Sequence, residues 1–262
     1  MTQKHIKIVR TIKITIEYDG TCYCGWQIQP NGLSVQQVVE DALNKLLGET
    51  VRVRSSGRTD AGVHATGMVA SFQTTKQNFP LRAIVDGSNH FLPPDIVILT
   101  ASEVSPGFKA IGDAVAKHYR YSILNSAVRS PLRRFTSWYV REPLDLDAMR
   151  EAAACFPGRH DFAAFRASNC SAKTTIRRID SVDIIRNNDM IFIDVIGEGF
   201  LKNMVRVISG TLVDIGKGRF RPDHLQWLLL NPDRQQAGVT APACGLCLLK
   251  VYYQENMTDE IF

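Results

Sequence analysis

The sequence lacks any long hydrophobic run. No stretch approaches the roughly 20 apolar residues that a membrane span requires, so a helical membrane protein is excluded at this level. It shows no leader pattern either. Met1–Arg10 carries lysine and arginine, but Thr11–Tyr18 alternates polar and apolar residues as a strand does, where a signal peptide needs an apolar block. A cytoplasmic protein is therefore expected. Low-complexity tracts are missing, apart from a tail at Gln254–Phe262 expected to fray. Neither the aromatic signature of an RRM nor a helix-turn-helix is present. The six cysteines form no zinc knuckle. Cys22-x-Cys24 and Cys244-x-x-Cys247 offer four thiolates, but both pairs sit in or beside strand-like runs. Free thiols in a reducing compartment are expected, with no metal.

What is present is an ordinary globular composition of 45% hydrophobic and 22% charged residues over 262 positions. That length buries a substantial core, as one large domain or two smaller ones. The 31 basic against 26 acidic residues leave a net charge of +5, a balance suited to an anionic partner. Ser105-Pro106-Gly107 is the best candidate boundary, giving segments 1–106 and 107–262.

Ile6–Tyr18 holds a first strand with Ile12, Ile14 and Ile16 on one face. Ser34-x-x-Gln37 is a capping-box pattern. Val35, Val38, Val39, Ala42, Leu43, Leu46 and Leu47 follow at helical spacing, and Gly48 stops the helix. Strands are predicted at Val51–Arg54, Met68–Thr74 and Ile96–Thr100, and a weaker helix at Leu81–His90. The first half thus reads β-α-β-β-α-β. The second half places strands at Lys117–Leu124 and Trp138–Val140, then a helix capped by Asp145 and running through Phe156. A hairpin over Ser181–Arg186 and Met190–Ile196 turns at Asn187-Asn188-Asp189. A helix over Leu201–Ile215, a short helix with Pro222 at its first position and a strand at Leu246–Tyr253 complete it. The two halves share an order of elements but no detectable sequence. The expected fold is α+β, two ferredoxin-like halves with mainly antiparallel sheets around a central basic cleft.

The chemistry centres on Ser55-Ser56-Gly57-Arg58-Thr59-Asp60-Ala61-Gly62-Val63-His64-Ala65. This loop between two strands is longer than a tight turn needs. Its two glycines let the backbone approach a ligand closely, with a short acid held forward at the rim of a sheet. Arg58 lies two residues before Asp60, on the same side in extended chain. There it favours the ionised carboxylate and is able to hold a phosphate. As a pattern alone, the loop also fits a turn whose aspartate bonds to nearby amides. A metal site from Asp60 and His64 lacks a third nearby ligand. Basic residues recur beside Tyr119, Tyr121 and Trp138 (among them Lys117, Arg120, Arg133, Lys202 and Arg206), a mixture suited to phosphates and exposed bases.

The string Gly57–Ala65 closely resembles the active-site motif of the TruA family of tRNA pseudouridine synthases. Glu17-Tyr18-Asp19-Gly20, Gly25-Trp26-Gln27, Ser34-Val35-Gln36, Leu92-Pro93-Pro94-Asp95-Ile96 and Tyr119-Arg120-Tyr121 are similar to further family blocks. So are Asp161-Phe162-x-x-Phe165-Arg166, Phe200-Leu201-x-x-Met204-Val205-Arg206 and Thr240-Ala241-Pro242-x-x-Gly245-Leu246. The resemblance implies a cofactor-free isomerase that converts uridine to pseudouridine at positions 38 to 40 of the tRNA anticodon arm. It implies Asp60 as the catalytic aspartate, Arg206 as its cationic partner and Tyr119 as the residue stacking on the extracted uracil. Arg58 is implied in displacing the base, Leu246 in walling the uracil pocket, and Lys202 and His64 in contacting substrate. A homodimer gripping tRNA is also implied. Ile111, Cys24 and Lys117-His118 depart from the family pattern and bear on RNA docking and site choice. A non-catalytic RNA-binding relative, a synthase with altered site choice and a metal-dependent hydrolase are the alternatives.

Overall fold

A computed structural model describes residues 9–254. The expected tail beyond Gln254 lies outside the described residues. The chain divides into two compact units. One runs to Ala114 and takes up the chain again from Tyr253; the other spans Val115–Tyr252. Both are mixed α and β with mostly antiparallel sheets, and among the described residues there are five α-helices. None of these helices is long and apolar enough to cross a membrane.

The first unit contains β1 (Arg10–Tyr18), α1 (Val35–Leu47), β2 (Arg54–Ser55), β3 (His64–Thr74), α2 (Leu81–Phe91) and β4 (Ile96–Val104). β1 lies between β4 and β3, antiparallel to both, and β2 pairs with β3. Strand alternation buries Ile12, Ile14 and Ile16 completely, as their period of two requires. The register places Tyr18 opposite Ala65 of β3 and Ile96 of β4, so the end of β1 lies beside the start of β3. α1 begins as its sequence dictates. The Ser34 side chain accepts from the Gln37 amide, and Gly48 ends the helix at φ 65° in the left-handed region.

Val51–Val53, predicted as strand, is not one; β2 is confined to Arg54–Ser55. Side chains of α1 take the backbone groups that a sheet partner would have used. Asn44 accepts from the Val51 amide (2.8 Å), Glu40 accepts from the Val53 amide (2.9 Å), and Gln36 donates to the Val53 carbonyl (3.1 Å). Glu40 and Gln36 are buried and bonded to each other at 2.9 Å, so this polar network is satisfied.

The second unit contains β5 (Ala114–Asn125), β6 (Trp138–Val140), α3 (Leu146–Ala153), β7 (Gly158–Asp161), β8 (Ile176–Asn187), β9 (Met190–Gly197), α4 (Met204–Gly216), α5 (His224–Leu230) and β10 (Leu246–Tyr253). The strand order is β10-β5-β9-β8-β7, with β6 parallel to the end of β5. Asp145 caps α3 by accepting from the Asp147 and Ala148 amides, both at 3.0 Å. The β8–β9 hairpin turns through Asn188, whose φ of 53° suits asparagine. Two helix starts differ from expectation. α4 begins at Met204, because Asn203 adopts φ 63° and breaks the helical path. α5 begins at His224 with Asp223 as its cap, so Pro222 precedes the helix. β7 is short and polar at Gly158–Asp161, without the alternation that marks a strand in sequence.

Candidate active site

Asp60 sits in the connection from β2 to β3. The Ser56 amide still bonds to the Val69 carbonyl (2.8 Å), so departure from the sheet begins only after it. From there the loop is fixed on either side of the aspartate. The Thr59 carbonyl accepts from the Trp26 amide at 3.1 Å, and its hydroxyl shares a 2.8 Å hydrogen bond with that of Tyr18. The Val63 amide bonds back to the Asp60 carbonyl at 3.1 Å, closing a turn through Gly62 at φ 76°. Thr59 and Val63 are buried while Asp60 between them is half-buried and Arg58 exposed. The backbone is thus anchored before and after a carboxylate held forward, as its bracketing glycines suggest.

Two glycines in the supporting segment allow this contact. A Cβ on Gly20 would lie 2.0 Å from the Val63 carbonyl oxygen, and one on Gly25 would lie 2.5 Å from that of Thr59. Gly25 also has φ 89°, disfavoured for any residue with a side chain. The segment is itself tied down. The Asp19 amide bonds to the Asp95 carbonyl (2.9 Å) and the Tyr23 hydroxyl donates to the Asp95 carboxylate (2.7 Å). Burial, together with Asp95, pushes the Tyr23 phenol well above its ordinary pKa. The Val35 and Gln36 amides at the start of α1 bond to the Gly25 and Trp26 carbonyls, at 3.2 and 3.0 Å. Four sequence blocks therefore converge on the loop that carries Asp60. Tyr18, Gly20, Gly25 and Asp95 are positioning residues that reasoning about single side chains missed. Their signal was membership of the blocks around Glu17, Gly25 and Leu92.

His64, the first residue of β3, is 8% exposed. Its Nδ1 lies 3.1 Å from both the Gly20 amide and Oδ1 of Asp19. One ring nitrogen serves only one of them at a time, accepting from the amide when bare and donating to the carboxylate when protonated. Burial alone would raise the Asp19 pKa. Hydrogen bonds from Thr21 and the neighbouring His64 outweigh it and hold that carboxyl below its usual value. His64 thus braces the Asp19-Gly20 turn. Among the described residues no three His, Cys, Asp or Glu side chains gather where they could hold a metal ion, and the cysteines are free thiols.

The other expected residues belong to the second unit. Tyr119 stands in β5 opposite Val195 of β9, 7% exposed, with Phe200 edge-on at 5.2 Å between ring centroids. Arg206, half-buried in the first turns of α4, is aimed by two bonds. Its Nε donates to the Ala241 carbonyl (2.8 Å) and its Nη1 to the Asn203 side chain (3.1 Å). The left-handed Asn203 that delays α4 is therefore a partner of this guanidinium. Tyr121 donates to the Pro242 carbonyl at 2.8 Å, and Gly245 packs where a Cβ would be 2.6 Å from the Tyr121 ring. These contacts seat the turn that starts β10 with Leu246, 6% exposed. Lys202 is exposed, while its carbonyl accepts from the Ala167 amide at 3.0 Å. Lys117, on the same strand face as Tyr119, is desolvated, and this depresses its ammonium pKa.

The first unit thus holds a fixed carboxylate, and the second, by itself, holds a guanidinium bonded at two of its nitrogens and a buried tyrosine. Comparison with known proteins is consistent with such chemistry. Residues 14–111 and 152–254 match the family described as tRNA pseudouridine synthase. A relative from Pelobacter propionicus named tRNA pseudouridine synthase A is 70% identical over 94% of this chain and 100% of its own length. Its namesake from Geotalea daltonii is 58% identical over the same shares. Among solved structures, a chain of a Cbf5-Nop10-Gar1 complex matches with a TM-score of 0.33 at 13% identity, covering 77% of this chain and 45% of that one. That likeness is too weak to carry a fold assignment.

Proposed function

The chain belongs to the tRNA pseudouridine synthase family, and from that premise we propose that Asp60 is its catalytic carboxylate, acting on uridines 38 to 40 of the tRNA anticodon arm. The observation that carries this reading is the anchoring of Thr59 and Val63 on either side of Asp60, which fixes the acid without burying it. A preorganised carboxylate needs no rearrangement when charge develops at C1′.

The isomerisation breaks the C1′–N1 bond, turns the uracil and joins C5 to C1′ before the C5 proton leaves. Glycoside hydrolases need a second carboxylate to activate water. Here water is a competitor, so one acid in a closed pocket suffices, as nucleophile toward C1′ or as stabiliser of its positive charge. In this reading Arg206 is the cationic partner of Asp60, and Tyr119 stacks on the extracted uracil and assists loss of the C5 proton. Leu246 walls the pocket. Arg58 displaces the target base and Lys202 contacts the backbone, since the nucleotide must leave its stack to be reached. His64 acts by bracing the loop. Two ferredoxin-like halves with a basic cleft, and a homodimer binding one tRNA across both copies, complete the proposal.

Tritium release from tRNA labelled at uridine C5 tests it, followed by mapping of the modified positions. Asp60→Asn is expected to lose roughly a thousandfold or more in turnover while binding tRNA like the parent. Turnover retained by this variant would remove Asp60 from the chemistry, and modification mapped outside the anticodon arm would overturn the site assignment.

A further inference from the structure

The second unit holds a cavity of about 420 Å³ that the isomerisation does not use. It lies at the β8–β9 turn, beneath the loop that leaves β5. Leu124, Met190 and Phe192 form its apolar floor, and Arg133, Asn187 and Asp189 stand at its rim. Leu124 is five residues along β5 from Tyr119, about 16 Å at 3.3 Å per residue, and points to the opposite sheet face. This is therefore a separate place from the proposed uracil pocket.

The rim carries uncommitted polar groups. The Arg133 carbonyl accepts from the Ser137 hydroxyl (2.9 Å) and the Asp189 carbonyl from the Asn125 amide (2.8 Å). Among the described residues, nothing bonds to the Arg133 guanidinium or to the Asp189 carboxylate. Residues 126–135 include Arg129, Arg133 and Arg134 and no acid, so the mouth is positive despite Asp189. Arg120 covers the Phe192 ring at 4.8 Å and is neutralised by Asp194, with two bonds of 2.7 Å. It stiffens the floor without adding net charge.

An apolar floor of this size takes a flat ring, a free guanidinium takes a phosphate, and a free carboxylate takes an amino or imino donor on a base edge. We propose that this cavity binds one unstacked nucleotide of the substrate RNA, with its base on Met190 and Phe192 and its phosphate on Arg133. A base whose edge offers an amino donor suits Asp189, with guanine adding an imino donor beside it; cytosine and guanine are the two cases tested. The identity of the occupant rests on the proposed tRNA substrate; the cavity and its chemistry do not.

The test uses the full-length protein with ¹³C-methyl methionine, the Met190 signal being assigned by Met190→Leu. Addition of tRNA is expected to shift the Met190 methyl. CMP or GMP at millimolar concentration should do so too, and inorganic phosphate should not. Val128→Trp, filling the cavity from an exposed loop position, and Arg133→Glu should each weaken tRNA binding about tenfold, the scale of one lost stacking or phosphate contact. Turnover at saturating tRNA should be unchanged. A Met190 signal unmoved by tRNA, or both variants binding tRNA like the parent, overturns the proposal. A response to mononucleotides alone overturns the RNA assignment, and an equal response to inorganic phosphate overturns base recognition. Pseudouridine formation failing while Met190 still responds to tRNA would reject the functional reading and leave this one standing.

Discussion

Asp194 shows how one buried carboxylate is kept charged in this protein. Burial alone would raise its pKa, but hydrogen bonds from Arg120 and the nearby His118 outweigh it and hold it at about 2, from an ordinary 3.8. Because the folded value is depressed, the stabilisation is complete above the unfolded pKa and is lost as pH falls from about 4 through 2. It amounts to about 2 kcal/mol. Arg120→Ala leaves the carboxylate buried without its main partner and is expected to cost about 3 kcal/mol at pH 7. That loss should shrink toward pH 3, where protonation relieves the stranded charge; urea unfolding at both pH values measures it, and a pH-independent loss would contradict the assignment. A second prediction concerns thiols. Burial raises Cys170, but the Ala172 and Lys202 amides and the charges of Arg166 and Arg177 bring it below the ordinary thiol value. Burial pushes Cys155 up to about 11. At pH 8, alkylation followed by peptide mass spectrometry should find Cys170 modified well before Cys155. The reverse order would show that the charges around Cys170 do not govern it.

Elements matter here for what they hold in place. The loop from Asp19 to Leu33 contains none of the proposed catalytic residues, yet it sets the path of Thr59 through Gly25 and Trp26. Gly25→Ala places a methyl 2.5 Å from the Thr59 carbonyl oxygen at a φ that side chains avoid. The backbone cost is about 1–2 kcal/mol, and relief requires the Thr59-Asp60 backbone to shift by close to an ångström. We expect kcat to fall on the order of a hundredfold, with tRNA affinity nearly unchanged and the circular dichroism of the parent retained. A kcat within twofold of the parent would disconnect this loop from the carboxylate. Neither Gly25 nor Gly20, which meets Val63, has a periodic pattern that would flag it in sequence. Their requirement comes from a backbone passing some forty residues away in the chain.

At the scale of the whole molecule the decisive quantity is charge. A net +5 with arginines and lysines repeated along the second unit suits a polyanion, although several of these cations are paired internally. Lys217 with Glu142, Arg219 with Asp214 and Arg178 with Asp180 are three such pairs, at 3.0, 2.9 and 2.8 Å. Binding that neutralises several phosphates releases their counterions. tRNA affinity is therefore expected to fall about tenfold or more between 50 and 200 mM salt. A flat salt response in filter binding would be incompatible with a phosphate-reading enzyme.

Much of the fold was legible because its signals are local. The alternation of Ile12, Ile14 and Ile16, the caps Ser34, Gly48 and Asp145 and the Asn188 turn each act within a few residues, so chain order alone fixes them. The motif around Asp60 was legible as a string, and its glycines announced a loop that comes close to something. Only tertiary structure decided what holds that loop: Tyr18 on Thr59, Gly20 against Val63, and Asp95 beneath Tyr23. The same is true of Val51–Val53, where three α1 side chains replaced a sheet partner, and of Asn203, whose left-handed turn helps to aim Arg206. Each of these contacts had alternatives that chain order alone leaves open, and the choice fell to the group that the folded backbone brings into reach.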